Sequence, residues 1–169
     1  KSNSIAWLAH QLSSLHGFDG NSIFNSVIVI TDRTVLDSQL QETIQSFEHK
    51  EGVIVGISRD GSNESKSTQL ADALERGAKI IITTIQKLAL FVARNKGHEI
   101  FQKHVVLIFD ECHRSQFGDM HEDIVKYFKN YHLFGFTGTP IFAANASTRG
   151  KPTLKTTPQA FGGEPDANG

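Results

Sequence analysis

Short apolar runs rich in β-branched residues alternate with helical patterns along most of this 169-residue chain. The runs predict five strands, at residues 27–30, 53–55, 80–82, 105–109 and 133–136. The first run has no polar residue in alternation, which is typical of a strand buried on both faces of a sheet. Because a helical segment separates each pair of strands, the connections are crossovers and the strands run parallel. The pattern therefore predicts an α/β domain with a mostly parallel sheet covered on both faces.

Apolar residues spaced by three and four positions predict the helices between these strands. The first helix is expected to end at Gly17, the second to begin near Thr34, and the third to stop near Gly77. Asp119 and Glu122 resemble a capping box that opens the last helix. The residues that line the predicted helix faces are Ile5, Leu8, Leu12, Leu15, Leu36, Leu40, Ile44, Phe47, Leu70, Leu74, Leu88, Phe91, Val92, Ile124, Tyr127 and Phe128.

Composition narrows the class of protein further. The net charge of −1 argues against a strongly basic nucleic-acid binder, and 38% apolar residues are ordinary for a folded domain. Cys112 is the only cysteine, so no internal disulfide forms and a reducing, cytoplasmic setting is expected. The longest apolar runs fall far short of the roughly 18 residues that suggest a membrane span, so no membrane partner is expected.

Residues 143–169 differ in character from the rest of the chain, because they have no apolar period and are rich in Ala, Asn, Thr, Gly and Pro. We expect one domain over residues 1–142 followed by a loop or disordered tail. The eight histidines are scattered along the chain and predict no shared site.

Asp110 and Glu111 directly follow the most apolar predicted strand. In open parallel sheets, ligands bind outside the carboxyl ends of the strands. Two adjacent acids at the tip of a buried strand need a cationic partner, and Mg²⁺ on nucleotide phosphates is one such partner. A strand that simply ends in solvent is the alternative, and two acids alone favour it. Polar residues also follow the acids at 113–115 and follow another strand at 137–140. Together they favour a functional site at the strand ends over strands that simply end in solvent.

These strand ends carry strings that are similar to a known family. D-E-C-H at 110–113 resembles motif II of superfamily 2 helicases, and T-G-T at 137–139 resembles their motif III. The longer strings at 110–118 and 134–142 resemble the R subunit, the motor of type I restriction enzymes. The segments at 31–40 and 83–88 resemble motifs Ia and Ib of that family. Four segments in the family's order imply a RecA-like three-layer fold.

Lys1 and Ser2, followed by a Leu-lined helix, resemble the last two residues of a G-x-G-K-S phosphate loop. The glycines that wrap backbone N–H groups around phosphates are absent, and so is the strand that precedes them. We therefore expect a segment of a motor domain that lacks its first P-loop strand.

The resemblance implies ATP and Mg²⁺ as cofactors. Asp110 would coordinate Mg²⁺ through water, and Glu111 would polarise the hydrolytic water. Lys1 would reach the β- and γ-phosphates and Ser2 would bind Mg²⁺, provided that the missing loop is restored.

Two further groups of residues receive roles from the same resemblance. His113, Thr137 and Thr139 would couple the ATP site to DNA, although a tight turn before Pro140 also explains the two threonines. Arg33, Thr83 and Thr84 would contact DNA phosphates, with ordinary loop solvation as the alternative for Arg33.

The function implied is the first lobe of an ATP-dependent double-stranded DNA translocase in a type I restriction complex. Its partners would be double-stranded DNA and the modification (methyltransferase) and specificity subunits, and a separate nuclease domain would cut. The arginine finger would come from a second lobe, so negligible ATP hydrolysis is expected of this chain alone. The alternatives are another superfamily 2 enzyme, such as a type III restriction subunit or a repair helicase, and a catalytically inactive interaction module.

Overall fold

The computed structural model describes residues 1–31, 40, 42–46, 54–56, 63–111, 124–140 and 156. Three α-helices are delimited within these residues: α1 (Ser2–Ser13), α2 (Asn63–Glu75) and α3 (Ile85–Arg94). Residues 42–46 are also helical. The strands are β1 (Ser26–Thr31), β2 (Ile54–Gly56), β3 (Ile80–Thr84), β4 (His104–Asp110) and β5 (Asn130–Phe136), and a 3-10 helix, Glu99–Gln102, precedes β4.

Within the described residues, the five strands form one sheet in the order β2-β3-β1-β4-β5, and every neighbouring pair is parallel. This confirms the predicted α/β fold with a parallel sheet. The ends of the strands coincide, since Thr31 pairs with Thr84 and Asp110 pairs with Phe136. We call the side where the strands end the carboxyl edge and the opposite side the amino edge.

Two apolar cores sandwich the sheet. On one face, β1, β3 and β4 pack against α2 and α3 through residues such as Ile28, Leu107 and Phe91. On the other face, Val29 and Ile108 pack in one core with residues of α1. The helical segment at 42–46 belongs to this second layer, since Ile44 is fully buried there and its carbonyl oxygen lies 2.9 Å from His10 Nε2. The chain thus has three layers.

Helix α1 ends earlier than the sequence predicts. Its last residue is Ser13, not a residue beside Gly17, and the hydroxyls of Ser13 and Ser14 both donate to the His10 carbonyl oxygen. Serine hydroxyls compete in this way with the helical hydrogen bonds. The buried face follows the predicted stripe in part: Ile5 is buried, and Leu8 and Leu12 pack half-buried against the same core. Ala6 and Ala9 are buried as well, and their small size lets the helix approach the sheet, whereas Leu15 is exposed.

The expected covering of both faces is less complete at β5. The central strands β1 and β3 are buried at every position, whereas β5 alternates between exposed and half-buried residues, and Phe134 is 38% exposed. Helix α1 packs on β1, β3 and β4. In the described part of the chain, β5 has β4 as its single strand neighbour.

Of the remaining predictions about helix boundaries and the tail, one is confirmed and the others concern residues outside those that the structure describes. Helix α2 ends before Gly77, which takes the left-handed backbone conformation with φ 71°. Thr34, Asp119, Glu122 and all of 143–169 except Thr156 lie outside the described residues, and Thr156 is buried. None of the helices in the described portion is long and apolar enough to span a membrane.

Candidate functional site

Lys1, Asp110 and Glu111 meet at the carboxyl edge of the sheet. Lys1 Nζ lies 2.9 Å from Asp110 Oδ1 and also contacts Glu111 Oε1. The Asp110 side chain is only 5% exposed and that of Lys1 is 31% exposed. A carboxylate this deeply buried needs a cation and hydrogen bonds to remain charged. The sequence predicted a cationic partner for these acids, and in this structure the first residue of the chain provides it.

The fold brings Lys1 to Asp110 through the orientation of α1. Lys1 is the N-cap residue of α1, and its carbonyl oxygen accepts the first helical hydrogen bond from Ile5 N at 3.0 Å. Ile5, fully buried among residues of β1, β3 and β4, anchors this first turn on the sheet. The start of α1 therefore lies above the end of β4.

The backbone at Glu111 turns sharply after β4. Its φ of 54° is the single positive value at a non-glycine residue within the described residues. Its backbone N–H donates to Asp110 Oδ1 at 2.9 Å. The left-handed conformation departs from the alternation of an extended strand, in which adjacent side chains point to opposite faces. Both acids can thus contact the same ammonium group.

Ser2 and Thr137 are neighbours of this cluster in the fold. Ser2 is the first residue of α1 and is half-buried. Thr137 follows Phe136, which pairs with Asp110, so it continues β5 beside the acids. Thr137 Oγ1 accepts a hydrogen bond from Thr139 N at 3.0 Å, which is the local turn expected before Pro140. The structure thus places these residues at the same edge as the acids.

Thr83 and Thr84 end β3, which is separated from β4 by β1. Both are buried, and Thr84 Oγ1 caps α3 by accepting from Lys87 N at 3.4 Å. The hydroxyls of Thr83 and Thr31 are buried without a hydrogen-bond partner in the described portion of the chain. In the sequence, Thr31 is only the first residue of the segment 31–40 that resembles motif Ia. The structure shows in addition that Thr31 is buried at the end of β1. Arg33, Cys112 and His113 lie outside the described residues.

The donor atoms at this edge are suited to a hard cation. Asp110 and Glu111 supply carboxylate oxygens and Ser2 a hydroxyl, which are the donors that Mg²⁺ prefers. The ammonium of Lys1 already shows that the two carboxylates converge on a cation. Among the residues that the structure describes, no group of three or more His, Cys, Asp and Glu side chains is arranged for a metal. Water would complete the coordination, as Mg²⁺ usually requires.

The fold has three layers, with a parallel sheet between two layers of helices, and two acids and a lysine meet at one strand tip. This combination defines a RecA-like α/β lobe of the helicase-like ATPase class. Comparison with known sequences agrees: the profile of the SWI2/SNF2 ATPase family matches residues 1–164. The chain belongs to the SWI2/SNF2 ATPase family.

Curated relatives come from restriction systems. A type I restriction enzyme endonuclease subunit of Staphylococcus aureus is 41% identical over 131 residues, which cover 75% of this chain and 13% of that protein. The HindI type I endonuclease subunit of Haemophilus influenzae is 30% identical over 137 residues, covering 73% of the chain and 13% of that protein. The chain thus spans about an eighth of the length of these relatives. They confirm the resemblance to type I restriction enzymes.

A solved structure shares the fold. It is a nuclease-deletion mutant of the type ISP restriction-modification enzyme LlaGI in complex with a DNA substrate mimic. The TM-score is 0.57 at 16% identity, over 89% of this chain and 16% of that one. The structural likeness supports the RecA-like fold, and the family places the chain among nucleotide-using, hydrolase-type proteins.

Proposed function

We propose that this chain is the first motor lobe of an ATP-driven double-stranded DNA translocase in a type I restriction enzyme. The observation that carries the proposal is the convergence of Lys1 on Asp110 and Glu111 at the carboxyl edge. A lysine at a helix N-cap beside two acids at a strand tip is the arrangement that phosphoryl transfer needs for positioning and charge stabilisation. In this proposal the lobe comprises residues 1–142, and 143–169 form a loop or tail.

Each charged residue has a separate task. Asp110 would hold Mg²⁺ through water, Ser2 would offer its hydroxyl to the same ion, and Glu111 would orient and polarise the attacking water. Mg²⁺-bound ATP, when present, supplies the scissile phosphoanhydride and a counter-charge for the two acids. Lys1 would contact the β- and γ-phosphates.

DNA contact and coupling are assigned to the other strand tips. The LlaGI relative was solved with a DNA substrate mimic, which supports a DNA-binding role for this fold. Arg33, Thr83 and Thr84 are proposed to face DNA phosphates. The two threonines are buried here, so direct contact requires them to become accessible. His113, Thr137 and Thr139 are proposed to couple the two sites, because β5 ends directly beside β4.

The proposal places the remaining parts of the machine elsewhere. Within the described residues β4 is the single strand neighbour of β5, and Lys1 lies at the tip of β4, so a P-loop strand leading into Lys1 would have the other side of β5 to pair with. The nuclease, the second lobe with its arginine finger, and the modification and specificity subunits complete the enzyme. A cytoplasmic setting fits a DNA-dependent ATPase with a single cysteine.

The test uses the whole restriction subunit that contains this segment. We expect DNA-stimulated ATP hydrolysis that falls by about 100-fold or more in Glu111→Gln, the range for losing a group that acts in proton transfer, while nucleotide binding is retained. Glu99→Gln is the matched control, because Glu99 is an exposed carboxylate that likewise pairs with a lysine, Lys103. We expect its ATPase rate to be unchanged.

Two outcomes would overturn the proposal. Unchanged hydrolysis in Glu111→Gln would remove the assigned role of the acid. Failure of the whole subunit to bind ATP or ADP with Mg²⁺ in a titration would instead favour an inert interaction module.

A further inference from the structure

Three aromatic rings meet near the amino edge of β4 and β5, on the face that α1 covers only in part. The ring centroids of His104 and His132 are 5.1 Å apart, with an interplanar angle of 48°. Phe24 lies against both, at 4.7 Å from His104 and 5.5 Å from His132. This cluster lies at the opposite end of β4 from Asp110 and Glu111, so it is separate from the candidate nucleotide site.

Sheet register brings the two histidines together. His104 is the first residue of β4, and His132 pairs with Val106, two residues further along the same strand. Residues two apart on a strand share a face, so both imidazoles project from the same face of adjacent strands. Such diagonal neighbours are within reach of long and aromatic side chains. The contact depends on strand pairing and could not be found from the spacing of histidines along the chain.

The surroundings of His104 select one tautomer. Its Nδ1 lies 3.0 Å from the carbonyl oxygen of Ile23, which can only accept a hydrogen bond, so Nδ1 carries the proton. The lone pair of the neutral ring is therefore on Nε2. Its backbone N–H donates to Asn25 Oδ1 at 3.0 Å and further fixes the residue. A histidine that donates its Nδ1–H to a backbone carbonyl is oriented in the way typical of metal ligands.

The ring separation also matches that of a shared metal ion. With Zn–N bonds of about 2.0–2.1 Å and tetrahedral angles, two imidazoles on one ion have centroids about 5 Å apart. The observed 5.1 Å is close to this value. His132 is exposed and His104 is half-buried, so an ion bound between them is open to water on one side. Imidazole nitrogen suits Zn²⁺, Cu²⁺ and Ni²⁺ and is a poor match for Mg²⁺.

We propose that His104 and His132 form a two-histidine site for a divalent transition-metal ion of the Zn²⁺ class, with water completing the coordination. No third His, Cys, Asp or Glu joins them in the portion of the chain that the structure describes. A two-ligand site of this kind is exchangeable, unlike a closed four-ligand structural zinc site. Bound metal would cross-link the amino ends of β4 and β5.

Zinc titration by calorimetry tests the site on this chain with any polyhistidine tag removed. We expect one Zn²⁺ equivalent to bind, and His132→Ala or His104→Ala to weaken that binding by at least about tenfold, the loss that follows even from removing outer-shell partners of metal ligands. The double variant should bind Zn²⁺ only slightly more weakly than either single variant, because a single remaining histidine cannot chelate the ion. His132 is exposed, so His132→Ala is expected to fold normally and keeps the test valid if His104→Ala does not.

His16→Ala is the matched control. His16 is also exposed and its Nδ1 lies 2.7 Å from a backbone carbonyl oxygen, that of Ser14, but within the described residues no second imidazole stacks on it. Its removal should leave Zn²⁺ affinity within twofold, about the scale of ordinary context effects.

A second measurement locates the ion. Substoichiometric Cu²⁺ should broaden the ring-proton NMR signals of His104 and His132 together and before those of His16. Unchanged zinc affinity in the double variant, or broadening that starts at other histidines, would show that the pair is an aromatic contact and no metal site.

Discussion

Lys1 Nζ lies 2.9 Å from Asp110 Oδ1, although Asp110 is far from the first residue in sequence. The contact joins the start of the first helix to the tip of a central strand. It supplies the positive charge that a buried carboxylate requires, and its removal tests how much of the fold's stability depends on this edge.

Lys1→Met is expected to lower the free energy of unfolding by about 1–3 kcal/mol, because it leaves buried Asp110 without its charged hydrogen-bond partner. Asp110→Asn should reduce the cost of the Lys1 substitution to the loss of the Glu111 contact, which gives a coupling energy of about 0.5–3 kcal/mol between Lys1 and Asp110 in a double-mutant cycle. Urea unfolding gives the free energy of unfolding of the parent chain, the two single variants and the double variant. Lys103→Met, which breaks the surface pair with Glu99, serves as the control and should cost less than about 1 kcal/mol. Additive effects of Lys1→Met and Asp110→Asn would contradict the contact.

The left-handed backbone at Glu111 makes a prediction that is independent of its charge. Asparagine tolerates this conformation and valine does not. Glu111→Val should therefore be less stable than Glu111→Asn by about 1–2 kcal/mol. Both variants lose the carboxylate, so the loss of the Lys1 contact cancels in the comparison. Equal denaturation midpoints would mean that φ at this position is negative.

Gly77 ends α2 with φ 71°, so it is expected to resist substitution. Gly77→Ala should destabilise the domain by about 1–2 kcal/mol, the cost of a left-handed conformation with a Cβ atom. Gly97→Ala is the control: a Cβ atom has open space within 4 Å at both glycines, but φ at Gly97 is not positive. Thermal denaturation of the two variants should separate them clearly. An equally stable pair would exclude the left-handed helix end.

Two adjacent threonines differ in hydrogen bonding, and valine replaces each without change of shape. Thr84→Val removes the cap of α3 and should cost about 1 kcal/mol. Thr83 Oγ1 is buried and has no hydrogen-bond partner in the described part of the chain. Thr83→Val should therefore be neutral or stabilising in chemical denaturation, because it removes an unpaired buried hydroxyl. A large loss from Thr83→Val would reveal a partner for that hydroxyl.

The loop after α1 makes the stability of the fold depend on pH through the carboxylate of Asp19. The pKa of Asp19 is lowered below its ordinary value of 3.8, first because the Asn21 side chain donates to its carboxylate and second because the Asn21 backbone N–H also donates. A lowered folded-state pKa contributes stability above the unfolded pKa and loses it as the pH falls through the folded pKa. Between about pH 5 and about pH 3, Asp19→Asn should thus show a weaker fall in stability than the parent chain. NMR titration of the Asp19 carboxyl carbon measures the shift directly; an ordinary pKa there would contradict the loop geometry.

Much of the fold was predictable because its determinants are local. The runs at 27–30, 80–82 and 105–109 become buried strands, and Gly77 ends a helix, as the patterns indicate. The acid pair at 110–111 was identified for the same reason: polar residues directly after a buried strand in a parallel sheet must lie at the carboxyl edge. The resemblance to a restriction motor also depended on contiguous strings at these strand ends.

The errors arise where burial depends on partners distant in the sequence. Leu15 has the spacing of a core residue but lies beyond the last turn of α1, while Ala6 and Ala9 join Ile5 in the buried face. Residues 133–136 have a strand pattern, yet Phe134 stays exposed because α1 packs on other strands. The hydropathy of a side chain indicates whether its burial is favourable in free energy. The positions of the neighbouring helices and strands decide which apolar side chains are buried.

Local side-chain chemistry was thus sufficient to specify the parallel sheet, its helices and the acids at its tip, because backbone propensity and hydrophobic periodicity act over a few residues. The tertiary structure alone decided that Lys1 contacts both Asp110 and Glu111 directly, that Glu111 adopts a left-handed backbone, and that His104 lies against His132. These relationships follow from strand order and register. Both are set by the packing of whole faces against one another, which no short stretch of sequence encodes.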